Sequence, residues 1–294
     1  TATGVQVWAE RYDPAASELL DVQDAIVSRV ASALAIHTDE ARLAVARRKP
    51  PVSLEAYECW LRGRECLLRG TVEADDEARR FFERALEIDP LFARAHAGLS
   101  LSHFNEWSCQ AWVQWDEKER RAYLHASRAA ELDNTDAMVE IVLGRIMLYR
   151  RHFDEGAVHV DRALALNPSD ADVLAHGALC RAFLGDGASG VELAEKASRL
   201  NPVTGDWYVA PAALSLFVLG QYEESVAYGV RNPHATPDCP ALLAAACAHA
   251  GDQARARAYL SQFLSEFQER VLFGRAPEPG EHADPCRRFA GGRT

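Results

Sequence analysis

The stretch Ala171–Pro202, ADVLAHGALCRAFLGDGASGVELAEKASRLNP, indicates the fold of the whole chain, because its neighbours on both sides repeat its pattern. We interpret it as one helix-turn-helix hairpin in which an Asn-Pro pair, Asn201 and Pro202, ends the second helix. Small residues stand along it at Ala178, Gly190, Ala194 and Ala197. The preceding segment ends with the same pair, Asn167 and Pro168, and Pro168 lies 34 residues before Pro202. That spacing predicts an array of helical hairpins.

A small residue recurs at the same place in each predicted hairpin. It stands at Ala78, Ala122, Gly156, Gly190, Ser225 and Ala256, with spacings of 44, 34, 34, 35 and 31 residues. Seven residues further on stand Ala85, Ala129, Ala163, Ala197, Asn232 and Phe263. Helix axes approach to about 8–10 Å only where side chains are small, and a stacked array repeats that approach in every unit. The pattern predicts an all-α superhelical solenoid with an insertion of ten residues in its second hairpin.

The hairpins resemble tetratricopeptide repeats (TPRs) along about three quarters of the chain. We predict six of them, over about 53–90, 91–134, 135–168, 169–202, 203–237 and 238–268. Residues that suit helix stops fall at the ends of five hairpins, at Pro90, Asn134, Pro168, Pro202 and Pro237. The resemblance implies a non-catalytic module whose concave face, lined by the first helix of each hairpin, binds a protein or peptide.

Two further elements are predicted before the array. Val5 and Val7 alternate with polar residues, which is typical of a strand, so we expect residues 1–16 to end an α/β domain that lies upstream. An apolar stripe from Leu19 to Ala33, stepping by three and four, predicts a linker helix within 17–52, and Pro50 stops it. Packing on the first repeat is favoured over a signal-transmitting coiled coil. The array then covers 53–268, and 269–294 is expected to be a last helical turn and a flexible tail.

Three segments carry a narrower resemblance. They are VWAERYD at Val7–Asp13, LLDVQDAIVSRVASAL at Leu19–Leu34 and SLEAYECWLRGR at Ser53–Arg64. They are similar to the junction where a TolB-like or FlgO-like domain leads into a TPR tail in bacterial signalling proteins. ALEIDPLFARAHAGLS at Ala85–Ser100 is similar to such tails in proteins with a class III adenylate or guanylate cyclase domain at the N-terminus. The resemblance implies a regulatory segment that binds a protein, or another domain of its own parent chain.

Other contexts stay open at this point. A related group of proteins carries a winged-helix DNA-binding domain in place of the cyclase, so the chain could be the sensor or dimerisation half of a transcriptional regulator. A stand-alone TPR adaptor is a weaker alternative, and a freestanding enzyme is weaker still. An uncapped solenoid end would expose an apolar face, so self-association into a homo-oligomer is a further expectation.

Composition excludes several classes of partner and location. The net charge of −11 argues against a nucleic-acid surface, which needs a basic face. No run of about 18 apolar residues is present, so no membrane segment is predicted. The seven cysteines are an odd number without a C-x-x-C pair, which indicates reduced thiols and a cytoplasmic protein. Cys59, Cys66 and Cys180 are expected to be buried in helices.

The sequence predicts no catalytic set, cofactor or metal site. Gly185, Gly187 and Gly190 spell G-x-G-x-x-G, but a helix precedes them where a dinucleotide site needs a strand. The pairs His96/His103 and His152/His159 are seven residues apart and lack a third ligand in view. The acidic residues Glu73, Asp75, Asp76 and Glu77 fit the start of a helix, where carboxylates favour the positive end of the dipole.

Aromatic and arginine side chains on the first helices are the candidate partner-binding residues, because these types anchor protein partners. They are Trp60, Arg64, Phe104, Arg145, Tyr149, Phe183, Trp207 and Phe217. Packing between neighbouring repeats is an equal alternative for them. The insertion, residues 105–116, adds Trp107, Trp112 and Trp115. We interpret these tryptophans as a plug that fills a longer hairpin, with an exposed hydrophobic docking surface as the alternative.

Overall fold

The computed structural model describes residues 19–46, 54–110, 114–202, 206–233, 236 and 238–271. The predicted strand before residue 17, Trp112, Pro237 and the tail after Val271 lie outside this part of the chain. The described residues form thirteen α-helices and no strand. Their bounds are α1 Leu19–Ala46, α2 Ala56–Leu67, α3 Val72–Ile88, α4 Ala93–Asn105, α5 Trp115–Leu132, α6 Ala137–Tyr149, α7 Phe153–Leu166, α8 Ala171–Phe183, α9 Gly187–Leu200, α10 Val209–Val218, α11 Tyr222–Gly229, α12 Cys239–His249 and α13 Gln253–Glu266.

Six antiparallel hairpins form the array, and each is a consecutive pair of helices from α2–α3 to α12–α13. The first helices, α2, α4, α6, α8, α10 and α12, also contact one another in sequence, so they form the inner layer of a solenoid. The fold is therefore an all-α TPR superhelix, as the sequence predicts. Within the described ranges, no helix is long and apolar enough to span a membrane.

The predicted small residues lie where the two helices of a hairpin meet. All six at the first register position are buried, and Ala85, Ala129, Ala163 and Ala197 at the second are fully inaccessible. In the third hairpin a Cβ on Gly156 would lie 2.8 Å from Leu148 Cδ2 and 3.0 Å from the Gly144 carbonyl oxygen. No side chain fits in that gap, so the glycine sets how closely α6 and α7 approach.

Partly buried aspartate caps fix where several helices begin. Asp170 precedes α8, and its Oδ1 accepts hydrogen bonds from the backbone N–H groups of Asp172 at 3.0 Å and Val173 at 3.1 Å. Asp136 does the same for α6 by accepting from the Met138 N–H at 2.8 Å. These caps satisfy backbone donors that the first turn of a helix leaves free.

The insertion lengthens the second hairpin on its α4 side. The chain leaves α4 through a π-helical turn, Glu106–Gln110, and returns at Gln114, whose φ of 53° lies in the left-handed region. Trp107 is only 2% exposed, which agrees with a side chain that fills this hairpin rather than one on an exposed docking surface. The backbone of Trp115 begins α5, whereas Trp112 lies outside the described residues.

Some elements that are far apart in sequence are in contact. A second π-helical turn, Phe267–Val271, follows α13 and contacts the π-helical turn after α4. On the other side, α1 packs on α2 and also reaches α9, where Arg29 Nη2 donates to the Arg199 carbonyl at 3.4 Å. Elements far apart in sequence thus contact one another on both sides of the array.

Candidate functional site in the superhelix interior

A cavity of about 310 Å³ lies inside the superhelix, and its wall is mostly apolar. Each of the six first helices contributes to its lining, from Trp60 on α2 to Leu242 on α12. Pockets that hold ligands or partner side chains have about this size or more and are concave and apolar, with a few polar groups. The interior is therefore the candidate binding site of this chain.

Six of the eight predicted residues line this cavity. They are Trp60, Arg64, Arg145, Tyr149, Phe183 and Trp207. Phe104 and Phe217 do not. Phe104 is fully buried beneath Arg145, and Phe217 packs against Tyr222 and His249 between α10 and α12. The expectation that these two side chains lie on the concave surface was wrong, because α4 and α10 bury apolar side chains toward neighbouring helices as well as toward the interior.

Four aromatic rings form a continuous cluster behind one wall of the cavity, and we call Phe104, Trp107, Tyr149 and Phe183 the aromatic cluster. Tyr149 is its centre, with ring centroids 4.7 Å from Phe104, 5.9 Å from Trp107 and 5.1 Å from Phe183. All three contacts are edge to face, which is a favourable arrangement of ring quadrupoles. Because the cluster draws on α4, the π-helical turn and α8 as well as α6, it connects the insertion to the cavity wall.

Two of the arginines in the cavity are neutralised by carboxylates. Arg64 Nη1 donates to Asp39 Oδ2 of α1 at 3.3 Å, and its Nη2 lies 3.7 Å from Asp172 Oδ2 of α8. Arg94 Nε donates to Asp136 Oδ2 at 2.5 Å. Both guanidinium groups lie over the Trp60 ring, 5.5 Å and 5.3 Å from its centroid. This part of the wall is a closed ion network that also holds α1 on the array.

Asp39 also fixes Tyr57, which stands next to the network. The Tyr57 hydroxyl donates to Asp39 Oδ1 at 2.8 Å. Burial and this hydrogen bond to a carboxylate raise the pKa of Tyr57 to about 12. The phenol therefore stays protonated and keeps donating at any ordinary pH.

Arg145 on α6 is held differently from the other two. Its guanidinium carbon lies 4.4 Å from the centroid of the Phe104 ring, and its Nη1 is 3.2 Å from Nδ1 of His176. Its Nε is buried and has no hydrogen-bond partner. Among the described residues, no carboxylate lies within ion-pair distance of this side chain.

His176 is neutral in this setting. Burial, together with the charge of Arg145, lowers the pKa of His176 to about 3. Its Nδ1 can then accept the hydrogen bond that Arg145 donates, which fixes the tautomer with the proton on the other nitrogen. Its ring also packs on Trp207, with centroids 4.8 Å apart.

A second buried hydrogen-bond chain holds Trp207 in place through its neighbour. The Tyr208 hydroxyl donates to Asp172 Oδ1 at 2.7 Å and accepts from Asn201 Nδ2 at 3.3 Å. Tyr208 is 1% exposed, so it anchors the turn at the start of α10 on which Trp207 stands. Asp172 thus joins the two halves of the interior, because it binds both Tyr208 and Arg64.

The other motifs have structural explanations. Gly185 occupies a turn with φ of 84°, and Gly190 packs against Ala178 and Ser215, so the G-x-G-x-x-G pattern marks the tight α8–α9 hairpin. His159 pairs with buried Glu140 at 2.7 Å. His96 and His103 both stack on His125. No group of three or more histidine, cysteine, aspartate and glutamate side chains in the described ranges is arranged to hold a metal ion.

The predicted burial of the cysteines agrees with the structure. Cys59, Cys66 and Cys180 are at most 1% exposed and carry free thiols. Burial raises the pKa of Cys180 to about 12, so this thiol is unreactive.

The fold and the interior cavity define a helical-repeat protein of the TPR type. No family model matches the chain. A Rhizobium meliloti (strain 1021) protein whose name assigns it to the adenylate cyclases is 29% identical over 153 residues. The match covers 52% of this chain and 26% of that protein, so this chain corresponds to only a part of its relative.

Solved structures show the same fold at low sequence identity. The human IFIT1 dimer with m7Gppp-AAAA is similar with a TM-score of 0.56 and 17% identity, over 73% of this chain and 55% of that one. The Cut9–Hcn1 hetero-tetramer of the APC/C is similar with a TM-score of 0.56 and 16% identity, over 80% of this chain and 45% of the other. These likenesses concern the fold alone.

Proposed function

We propose that this chain is a non-catalytic regulatory module that binds a segment of a partner protein inside its superhelix. The observation that carries this proposal is the cavity that all six first helices line, to which α2, α4, α6, α8 and the turn before α10 contribute aromatic or arginine side chains. Trp, Tyr and Arg supply most of the affinity in protein interfaces because they combine a large apolar area with fixed hydrogen-bond donors. The Cut9–Hcn1 neighbour is an assembly of two different proteins, which agrees with this use of the fold.

The dimensions of the cavity favour a narrow ligand over a globular surface. A volume of about 310 Å³ accommodates a few side chains of an extended segment. The occupant is therefore a peptide segment of another protein or of another domain in the same parent chain.

The context we propose is the C-terminal part of a bacterial signalling protein, in which this module regulates an upstream cyclase domain. The support is the match to the rhizobial protein with a cyclase name, together with the resemblance of the N-terminal segments to the junction of such proteins. Free, buried thiols agree with a cytoplasmic location.

A selection from a random heptapeptide library tests the binding role. We expect the 294-residue chain to enrich a family of peptides, and a Trp207→Ala variant to lose that enrichment. Phe153→Ala is the matched control, because Phe153 is a large aromatic residue that is 44% exposed on α7, a second helix outside the cavity lining. Absence of enrichment, or equal enrichment by both variants, would contradict binding in the interior.

A further inference from the structure

Arg145 is the one arginine in the cavity lining without an ion-pair partner in the described part of the chain. The other two, Arg64 and Arg94, each lie against aspartate oxygens. A guanidinium group in an apolar wall is expensive to desolvate, and native proteins normally pair such a charge. An unpaired charge at this place is therefore a candidate for recognition of an anion.

The structure also holds Arg145 in a fixed position. The Phe104 ring lies against one face of the guanidinium, and His176 accepts a hydrogen bond from Nη1. Phe104 is itself locked by edge-to-face contacts with Tyr149 and Trp107. Because the group is already oriented, a ligand that meets it loses little additional conformational entropy.

We propose that Arg145 is the anchor of a carboxylate-binding subsite, which takes the side chain of an aspartate or glutamate in the bound segment. Apolar side chains next to that acidic residue pack on Tyr149, Phe183 and Trp207, which line the same cavity. This inference rests on the proposed function, because it names the chemistry of the segment that the interior binds. A guanidinium binds a carboxylate through two parallel hydrogen bonds, which gives both strength and orientation.

Charge matching favours a carboxylate over a phosphate. The subsite offers a single positive charge, since His176 beside Arg145 is neutral. Asp172 and Asp238 also line the cavity and repel a doubly charged ligand more strongly than a singly charged one. A phosphate group carries a charge of about −1.5 to −2 near neutral pH, so the single charge of Arg145 would leave part of the phosphate charge without a partner.

The heptapeptide selection on the wild-type chain and on Arg145→Gln tests this proposal. We expect peptides selected by the wild type to contain an aspartate or glutamate next to apolar residues, and the acidic residue to disappear from those selected by the variant. In the tightest acidic peptide, replacing the acidic residue by its amide should weaken binding by about tenfold or more, since a hydrogen bond to a charged group contributes about 1.5–3 kcal/mol. Replacement by phosphoserine should also weaken binding.

Two further variants keep the outcome interpretable. Arg145→Lys retains the charge without the planar fork, so we expect a reduced preference for the acidic peptide even if Arg145→Gln folds poorly. Arg80→Gln removes an exposed arginine of α3 that does not line the cavity, and it should leave the preference unchanged.

Selection of peptides without an acidic residue by the wild type, or equal affinity for the acid and its amide, would overturn the carboxylate subsite while leaving peptide binding intact. Failure to select any peptide would contradict the proposed function itself, and preference for phosphoserine would replace carboxylate by phosphate recognition.

Discussion

The second and fourth hairpins have the same topology but are held closed by different interactions. In the fourth hairpin, α8 and α9 meet through small residues. Gly190 lets the α9 backbone lie close to Ala178 of α8 and to Ser215 of α10 in the next repeat. In the second hairpin, the insertion separates the helix ends, and large or charged side chains fill the space. Both hairpins use small residues where their helices cross, but only the second also needs large and charged side chains to fill the space at its insertion.

The filling of the second hairpin is partly ionic. Glu106 is 3% exposed, and its oxygens lie 2.5 Å from Arg79 Nη1 and 2.7 Å from Lys118 Nζ. Asp75 is fully buried beside this group and accepts a hydrogen bond from Asn105 at 3.3 Å. These groups join α3, α4 and α5 around the π-helical turn, and Asp75, whose pKa burial raises to about 8, gives the second hairpin a dependence on pH near neutrality.

The largest expected effect on stability comes from Trp107, which fills the second hairpin. Trp107→Ala removes a nearly inaccessible ring that contacts Phe104 and Tyr149. We expect a loss of about 3–5 kcal/mol in the free energy of unfolding, as for other buried aromatic residues replaced by alanine. Chemical denaturation followed by circular dichroism measures it. A loss under about 1 kcal/mol would show that the insertion is not packed as described.

A smaller effect is expected where the fourth hairpin depends on the absence of a side chain. Gly190→Ala would place a Cβ against Ser215 Oγ and 3.1 Å from the Ala178 carbonyl oxygen. Overpacking of this kind costs about 1–3 kcal/mol, which outweighs the gain in helix propensity of about 1 kcal/mol. A melting temperature at or above that of the wild type would contradict the close approach of these helices.

A pH-dependent effect on stability is expected from Asp75 in the second hairpin. Burial raises the pKa of Asp75 to about 8, so the folded state prefers the protonated acid and loses stability as pH rises from about 4 to 8. Asp75→Asn keeps a neutral partner for Asn105, and its stability relative to the wild type should increase over this range, by on the order of 2 kcal/mol. Denaturant titrations at several pH values measure the difference. A difference independent of pH would mean that Asp75 titrates normally.

Two buried histidines of the second hairpin change stability with pH in the direction opposite to Asp75, so their effect needs a separate measurement. Burial lowers the pKa of His103 to about 3 and of His125 to about 4, with Arg79, Lys118 and Arg121 among the nearby charges. Because the unfolded state binds these protons more tightly, stability should fall as pH drops below about 6.5. In the Asp75→Asn variant the contribution of Asp75 between pH 4 and 8 is absent, and the acid-side loss remains, with His176 also contributing to it. A flat profile below pH 6 in that variant would contradict the burial of these imidazoles.

The smallest effect concerns the turn of the fourth hairpin. Gly185 has a φ of 84°, and a Cβ there would meet nothing within 4 Å. Gly185→Ala therefore introduces backbone strain without a clash, and we expect a loss of about 1 kcal/mol. A larger loss, close to that of Gly190→Ala, would show that the turn is packed against another element.

The fold could be predicted because its decisive contacts are short-range and periodic. Ala163 and Ala197 mark the helix crossings at a fixed spacing, and the 44-residue step before Ala122 locates the insertion. The domain division and the strand before residue 17 stay predictions, because the strand lies outside the described residues and nothing in the structure tests the division.

The candidate site could be predicted less completely. Six cavity residues follow from helix position and residue type, but the environments of Arg64 and Arg145 depend on superhelical curvature. Arg64 meets Asp172 three hairpins further on, and no periodic pattern indicates that pairing. The same holds for His176 and Asp172, which the sequence did not single out.

Hydrogen–deuterium exchange on the chain with and without a selected peptide tests the central claim most directly. Binding in the interior predicts slower exchange in α6 and α8, the first helices that carry Arg145, Tyr149 and Phe183, with little change in α7 and α9 behind them. Slower exchange confined to α7 and α9, or to α1, would place the partner on an outer surface and contradict the account.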